Sequence, residues 1–205
     1  MIKIITEESI LKKSIPTSTF TKEEQDLSTA ALLTSISETK ALGMSANQIG
    51  LNKRICVVNV KEEPLVLVNP EILGYTEETL VYYEGCLSIP KTMKKPIRTV
   101  RAFGVKIKAD NFNEELVFGT DKRGHKDINE LFSDLDLLES VCVQHEIDHL
   151  NGITIRDRQY TATIEKSLFE KMGRNEKVMM KRNDETIMVK KKKVSEYFKQ
   201  GYEII

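Results

Sequence analysis

The sequence predicts an α+β fold: mostly antiparallel β-sheets packed around a central helix, with a further N-terminal and C-terminal helix. Three observations predict it. Short segments of β-branched and aliphatic residues, bounded by charges and turn residues, crowd the region between residues 54 and 118. Leu138, Val141 and Cys142 recur at helical spacing and lead into His145-Glu146-Ile147-Asp148-His149. Thr21 with Glu24 three residues later has the pattern of a capping box at the head of a helix-forming stretch.

In order, residues 1–20 read as irregular, because Ile15-Pro16 breaks any helix. The capped helix runs from Thr21 to about Lys40, with Leu27, Ala31, Leu32 and Ile36 among its buried residues. Ala41 to Gly50 is a loop of small residues suited to close backbone approach. Strands follow at Arg54–Val60, Leu65–Val68 and Thr79–Tyr83, the last entering Glu84-Gly85-Cys86-Leu87-Ser88. Val105–Ala109 alternates apolar with charged residues, and Asp110-Asn111-Phe112-Asn113 turns it into Leu116-Val117-Phe118, an antiparallel hairpin with one solvated face. Residues 119–134 are polar and read as a surface loop. After the His-containing helix, Asn151-Gly152 is a stop signal, Ile153-Thr154-Ile155 a short strand, and Thr163 to about Met172 a second helix. No repeat or composition shift marks a boundary, so one domain over 1–205 is expected, with about 173–205 an extension of no assigned motif.

Composition narrows the function classes. Lysine plus arginine and aspartate plus glutamate are 31 each, so the whole chain has no bias toward nucleic acid or anionic membrane. Hydrophobic residues at 40% and charged residues at 30% describe a soluble globular protein. No apolar run is long enough to span a bilayer, and Met1-Ile2-Lys3-Ile4-Ile5 is followed at once by Thr6-Glu7-Glu8, so neither a signal peptide nor a membrane span is expected and a cytoplasmic location is. Three cysteines, odd in number and widely spaced, argue against a disulfide framework.

The chemistry gathers at His-Glu-x-x-His. Residues four apart on a helix share a face, so His145 and His149 can direct two imidazole nitrogens at one divalent metal, with Glu146 beside them. Alone, this pattern leaves a metalloprotease, another hydrolase or coincidence open. A metallopeptidase would take a third ligand from downstream, at Glu165 or Glu170. Cys86, in a glycine-containing turn after a strand, is the best alternative third ligand, although a core position is the commoner fate of a free cysteine, and the one that suits Cys56 and Cys142.

Three segments decide between these. Gly43-Met44-Ser45-Ala46-Asn47-Gln48, Glu84-Gly85-Cys86-Leu87-Ser88 and Gln144-His145-Glu146-Ile147-Asp148-His149 occur in that order. They resemble the three signature motifs of the peptide deformylases, the second and third letter for letter. The first departs where Ala41 stands in place of a glycine and Ser45 in place of an alanine. The resemblance implies hydrolysis of the N-terminal formyl group from the initiator methionine of new polypeptides, releasing formate. It implies one divalent metal on Cys86, His145 and His149, with Fe2+ favoured and Zn2+, Ni2+ or Co2+ possible. Metal-bound water would attack the formyl carbon with Glu146 as general base and acid, while the Gln48 side-chain amide and the Leu87 backbone N–H stabilise the oxyanion. Leu42, Gly43, Leu138, Val141 and Cys142 are expected to wall a pocket for the methionine side chain, with Glu84 and Gly85 beside it. Glu84 and Gln144 would also orient the ligands and the motif loop. The expected partners are N-formylmethionyl nascent peptides, with a transient ribosome contact conceivable through Lys190–Lys193, which reads more simply as a solvated charge run.

Overall fold

A short helix, α1 (Glu8–Leu11), precedes α2 (Lys22–Thr39). The capping box opens α2: the Thr21 hydroxyl accepts from the Glu24 N–H at 3.1 Å, and the Glu24 carboxylate accepts from the Thr21 N–H at 2.9 Å. Ser28, Leu32, Ser35 and Ile36 make its buried stripe. Leu27, expected in the core, is 65% exposed. One residue is about 100° of helix rotation, which carries Leu27 off the stripe that begins at Ser28.

The segment expected as a small-residue loop forms strand β1 (Gly43–Ser45) and a 3-10 turn (Ala46–Ile49). Next come β2 (Ile55–Val58) and β3 (Leu65–Val68), completing an antiparallel sheet of order β1-β2-β3. All four residues of β2 are buried, because both faces of the sheet are covered. Ile55 and Val57 pack toward α2, with Leu32, Ile36 and Met44. Cys56 and Val58 pack the other way, with Val143, Ile147 and Leu150.

β4 (Glu71–Tyr75), β5 (Thr79–Glu84), α3 (Lys91–Lys94), β6 (Ile97–Ala102), β7 (Gly104–Lys108) and β8 (Leu116–Gly119) follow. β7 and β8 form the antiparallel hairpin, with Val105 and Ile107 buried and Lys106 and Lys108 exposed. β4 pairs with the other edge of β7, and β5 pairs with β6. Strands β4 and β6 escaped sequence reading: a bulge between Ile72 and Gly74 interrupts the alternation in one, and the other buries an arginine, Arg101.

The structure describes residues 2–119, 128–160, 172–183, 185–198 and 200–204 of a computed structural model. Within 119–134, expected to be loop throughout, Ile128–Ser133 forms helix α4. Leu131 and Phe132 drive it by packing with Tyr82 and Leu137. Helix α5 (Leu135–Leu150) begins at Asp134, whose carboxylate accepts from the Leu137 N–H at 3.0 Å. It packs on β1, β2, β7 and β8. Cys142, Val143, Ile147 and Leu150 enter one apolar cluster, Leu137 and Val141 another. Residues 153–155 are not a strand: the Asp157 carboxylate accepts from the Thr154 N–H at 2.8 Å and from its hydroxyl at 3.0 Å, which curls the chain into a turn.

The chain divides into two compact units, Met1–Gln159 and Tyr160–Ile205. In the second, β9 (Lys177–Arg182) pairs with β10 (Glu185–Lys190) and with β11 (Glu203–Ile204), and α6 spans Val194–Phe198. Val178, Met180, Val189, Val194 and Tyr202 form its core. The helix expected from about Thr163 to Met172 falls, apart from Met172, outside the described residues. Among the described residues no helix is long and apolar enough to cross a membrane.

Candidate metal centre

Cys86 follows β5 in a tight turn. The Ile89 N–H donates to the Cys86 carbonyl at 2.9 Å, and the Cys86 N–H donates to the Thr92 hydroxyl, also at 2.9 Å. The Thr92 hydroxyl in turn donates to the Ile89 carbonyl at 2.7 Å. This turn holds the thiol against α5, where His145 and His149 stand one turn apart. His149 Nε2 lies 3.2 Å from His145 Nε2 and 3.2 Å from Cys86 Sγ. The three donor atoms all lie within 4.8 Å of one another, and Cys86 and His149 are almost fully buried.

These residues fit a divalent ion. Nitrogens each about 2.0–2.1 Å from a tetrahedral ion stand about 3.3 Å apart, close to the observed 3.2 Å. One thiolate and two imidazoles suit iron, zinc, cobalt or nickel. His145 Nδ1 lies 2.7 Å from Glu84 Oε2, so it carries the proton toward the carboxylate and leaves the Nε2 lone pair facing the centre.

Electrostatics behind the histidines rest on a buried arginine. Arg101 donates Nε to Glu84 Oε1 at 2.6 Å and Nη2 to Glu84 Oε2 at 3.0 Å, while its Nη1 reaches Asp148. Arg158 clamps Asp148 from the other side at 2.7 and 2.9 Å, and the Thr99 hydroxyl donates to Glu84. Burial pushes the Glu84 carboxyl up, but Arg101 and His145 together overcome it and hold it well below the usual carboxylate range. Burial likewise lowers Arg101, yet Glu84 and Asp148 more than restore its charge. Burial depresses His149, and neighbouring His145 depresses it further.

Glu146 lies beside the donor set and is 3% exposed. Among the described residues its Oε2 has no hydrogen-bond partner. Burial pushes its carboxyl up to about 7, with His145 and a hydroxyl from Ser45 opposing. Gly43 makes room for it: a Cβ there would stand 2.6 Å from Glu146 Oε1 and 2.8 Å from Cys142 Sγ. Gln48 Nε2 lies 3.7 Å from Cys86 Sγ and donates to the Ser88 hydroxyl at 3.2 Å. Leu87 lies on the same wall, and among the described residues no acceptor is bonded to its backbone N–H.

A cleft of about 310 Å³ opens onto this centre. Leu42, Gly43, Glu84, Gly85, Leu138, Val141 and Cys142, the residues expected around the substrate, all line it, together with Gln48, Cys86, Leu87, His145 and Glu146. Tyr82, Tyr83, Met93 and Pro96 line it as well and had no signal in the sequence. Gln144 stands away from the cleft and ties α5 to β6, exchanging hydrogen bonds with the Ala102 N–H at 3.1 Å and carbonyl at 3.0 Å. Burial raises the thiols of Cys56 and Cys142 well above their ordinary range, as suits neutral core residues. Glu165 and Glu170, the ligands a metallopeptidase would need, lie outside the described residues.

Known proteins carry the same arrangement of chain. The model of the polypeptide deformylase family matches residues 1–167. A peptide deformylase of Prochlorococcus marinus (strain MIT 9312) is 37% identical over 135 residues, which are 63% of this chain and 59% of the relative, so the chain spans less than two thirds of that relative's length. A probable peptide deformylase from Synechococcus phage S-SSM7 superposes with a TM-score of 0.63 at 26% identity, over 77% of this chain and 99% of that one. A Met-Ala-Ser-bound class I type b peptide deformylase from Acinetobacter baumannii superposes with a TM-score of 0.62 at 26% identity, over 77% of this chain and 98% of its own. The family match takes in all three signature segments and most of the chain, and the protein belongs to the polypeptide deformylase family.

Proposed function

We propose that this protein hydrolyses the N-terminal formyl group of peptides that begin with formylmethionine, releasing formate. The observation that carries the reading is the convergence of Cys86 Sγ, His145 Nε2 and His149 Nε2 within 4.8 Å of one another, beside a cleft that Glu146 and Gln48 line. The Met-Ala-Ser peptide held by the Acinetobacter relative agrees with a substrate of that class.

The residues divide the work as follows. Cys86, His145 and His149 would hold the metal, with ferrous iron favoured by the family resemblance. A divalent ion bound there would supply Lewis-acid stabilisation of negative charge and make water a stronger acid near neutral pH. Glu146 accepts a proton from the water that attacks the formyl carbon, then returns it to the departing amine as the carbon–nitrogen bond breaks. The Gln48 amide and the Leu87 N–H hydrogen-bond the oxygen on which charge develops. Leu42, Gly43, Leu138, Val141 and Cys142 receive the methionine side chain. β1 is an edge strand of its sheet, so an extended peptide can pair along it without regard to side-chain sequence. Residues 1–167 carry the family domain, and about 173–205 are an extension of it.

Formate release from formyl-Met-Ala-Ser tests the reading, with Glu146→Ala as control. The wild type should turn over and the variant should be at least about 10²-fold slower; equal rates would end the assignment. Metal content of Cys86→Ala separates the rival class, since a peptidase with a downstream ligand keeps its ion and a deformylase loses it.

A further inference from the structure

We infer that Ser45, which stands where the family pattern has alanine, is a positioning residue that locks the Gln48 amide with its N–H groups toward the reacting centre. The inference rests on the role proposed above for Gln48. Ser45 and Gln48 are 0% and 3% exposed, so neither side chain can turn to solvent for a partner. The backbone N–H of Ser45 donates to Gln48 Oε1 at 2.9 Å, and its hydroxyl donates to the same oxygen at 2.9 Å. A backbone N–H is a donor only, so the amide atom facing it is the oxygen. Both acceptor sites of Oε1 are then filled by one residue. Nε2 is left on the opposite side, between the Ser88 hydroxyl at 3.2 Å and Cys86 Sγ at 3.7 Å. With alanine at position 45 the backbone donor alone would hold Oε1, and rotation about the last torsion of Gln48, which has broad wells, would be restrained from one direction instead of two. The hydroxyl adds a second anchor on a rigid scaffold, since Ser45 is paired through β1 to Cys56 in the middle of the sheet.

Ser45→Ala, Gln48→Ala and the double variant, assayed as metal-loaded proteins on formyl-Met-Ala-Ser, test this. Ser45→Ala should lower kcat by about three- to tenfold, the factor for one neutral hydrogen bond, with KM moved less than about twofold. In the Gln48→Ala background the same substitution should cost clearly less, what remains being the hydroxyl's contribution at the Glu146 carboxyl. A second measurement needs no turnover: in the zinc-loaded protein the Gln48 side-chain amide protons, followed by NMR, should exchange faster with solvent in Ser45→Ala than in the wild type. An unchanged kcat, an undiminished effect in the Gln48→Ala background, or unchanged amide exchange would overturn the inference. A wild type that does not release formate would refute the deformylase reading, and amide exchange would still decide the placement of Gln48.

Discussion

Replacing Arg101 with methionine removes a cation that Glu84 and Asp148 share in the interior. The Arg101 side chain is 2% exposed, Glu84 5% and Asp148 3%, so no solvent can take its place. Asp148 keeps Arg158 after the change, but among the described residues Glu84 keeps only the Thr99 hydroxyl and His145 Nδ1. The loss is therefore that of a buried ion pair broken by removing one partner, roughly 3–5 kcal/mol. For a chain of this length each kcal/mol moves the melting midpoint by about 2–4 °C, giving a fall of about 6–20 °C. Circular dichroism melts of the wild type, Arg101→Met and Arg101→Met with Glu84→Gln measure it. The double variant should recover part of the loss, because a neutral amide does not need the cation. An Arg101→Met midpoint within about 2 °C of the wild type would show that the Glu84–Arg101–Asp148 chain contributes nothing net, and would refute the reasoning. Metal affinity should fall by about 10–100-fold in the same variant, since Glu84 orients His145.

Gly43→Ala places a methyl 2.6 Å from Glu146 Oε1 and 2.9 Å from Glu146 Cγ, so the carboxylate must leave its position; formate release should fall by more than about tenfold while the melting midpoint changes by a few degrees, and an unaltered kcat would place Glu146 elsewhere. Asp157 gives a pH dependence outside the centre. Partial burial raises its carboxyl, but the Lys12 ammonium and the Thr154 N–H and hydroxyl overcome this and bring it down from 3.8 to about 2. A depressed folded-state value means stability fully present above about pH 4 and lost as pH falls through 2. The pair is over a third exposed, so the contribution is about 0.2–1 kcal/mol. Asp157→Asn should flatten acid unfolding in that window, and identical acid profiles for the two proteins would remove the claim.

Much of the fold was legible because its signals are local. Thr21 and Glu24 announce the start of α2, Lys106 and Lys108 alternate with Val105 and Ile107 along a half-buried strand, and an unbroken apolar run at Ile55–Val58 marks a strand covered on both sides. What failed were a helix set by a distant partner and a turn set by one side-chain contact that the apolar alternation hid. Ile128–Ser133 is helical because Tyr82 and Leu137 receive Leu131 and Phe132, and Ile153–Ile155 turns because Asp157 captures Thr154.

The candidate site divides along the same line. His145 and His149 are placed on one face by the pitch of a single helix, so their spacing alone determines that they can share an ion. The third donor was less certain in the residues themselves, because a free cysteine is more often core than ligand and Cys86, the best candidate, is as small as Cys56 and Cys142. The glycine-containing turn and the motif resemblance favoured Cys86, and the packed molecule agrees, turning Cys86 Sγ to 3.2 Å from His149 Nε2 while Cys142 Sγ donates to the Leu42 carbonyl at 3.3 Å. The arginine behind Glu84 had no local signal at all. A buried charge is stable only beside its counter-charges, and here those come from β5 and α5, segments that only tertiary folding brings together.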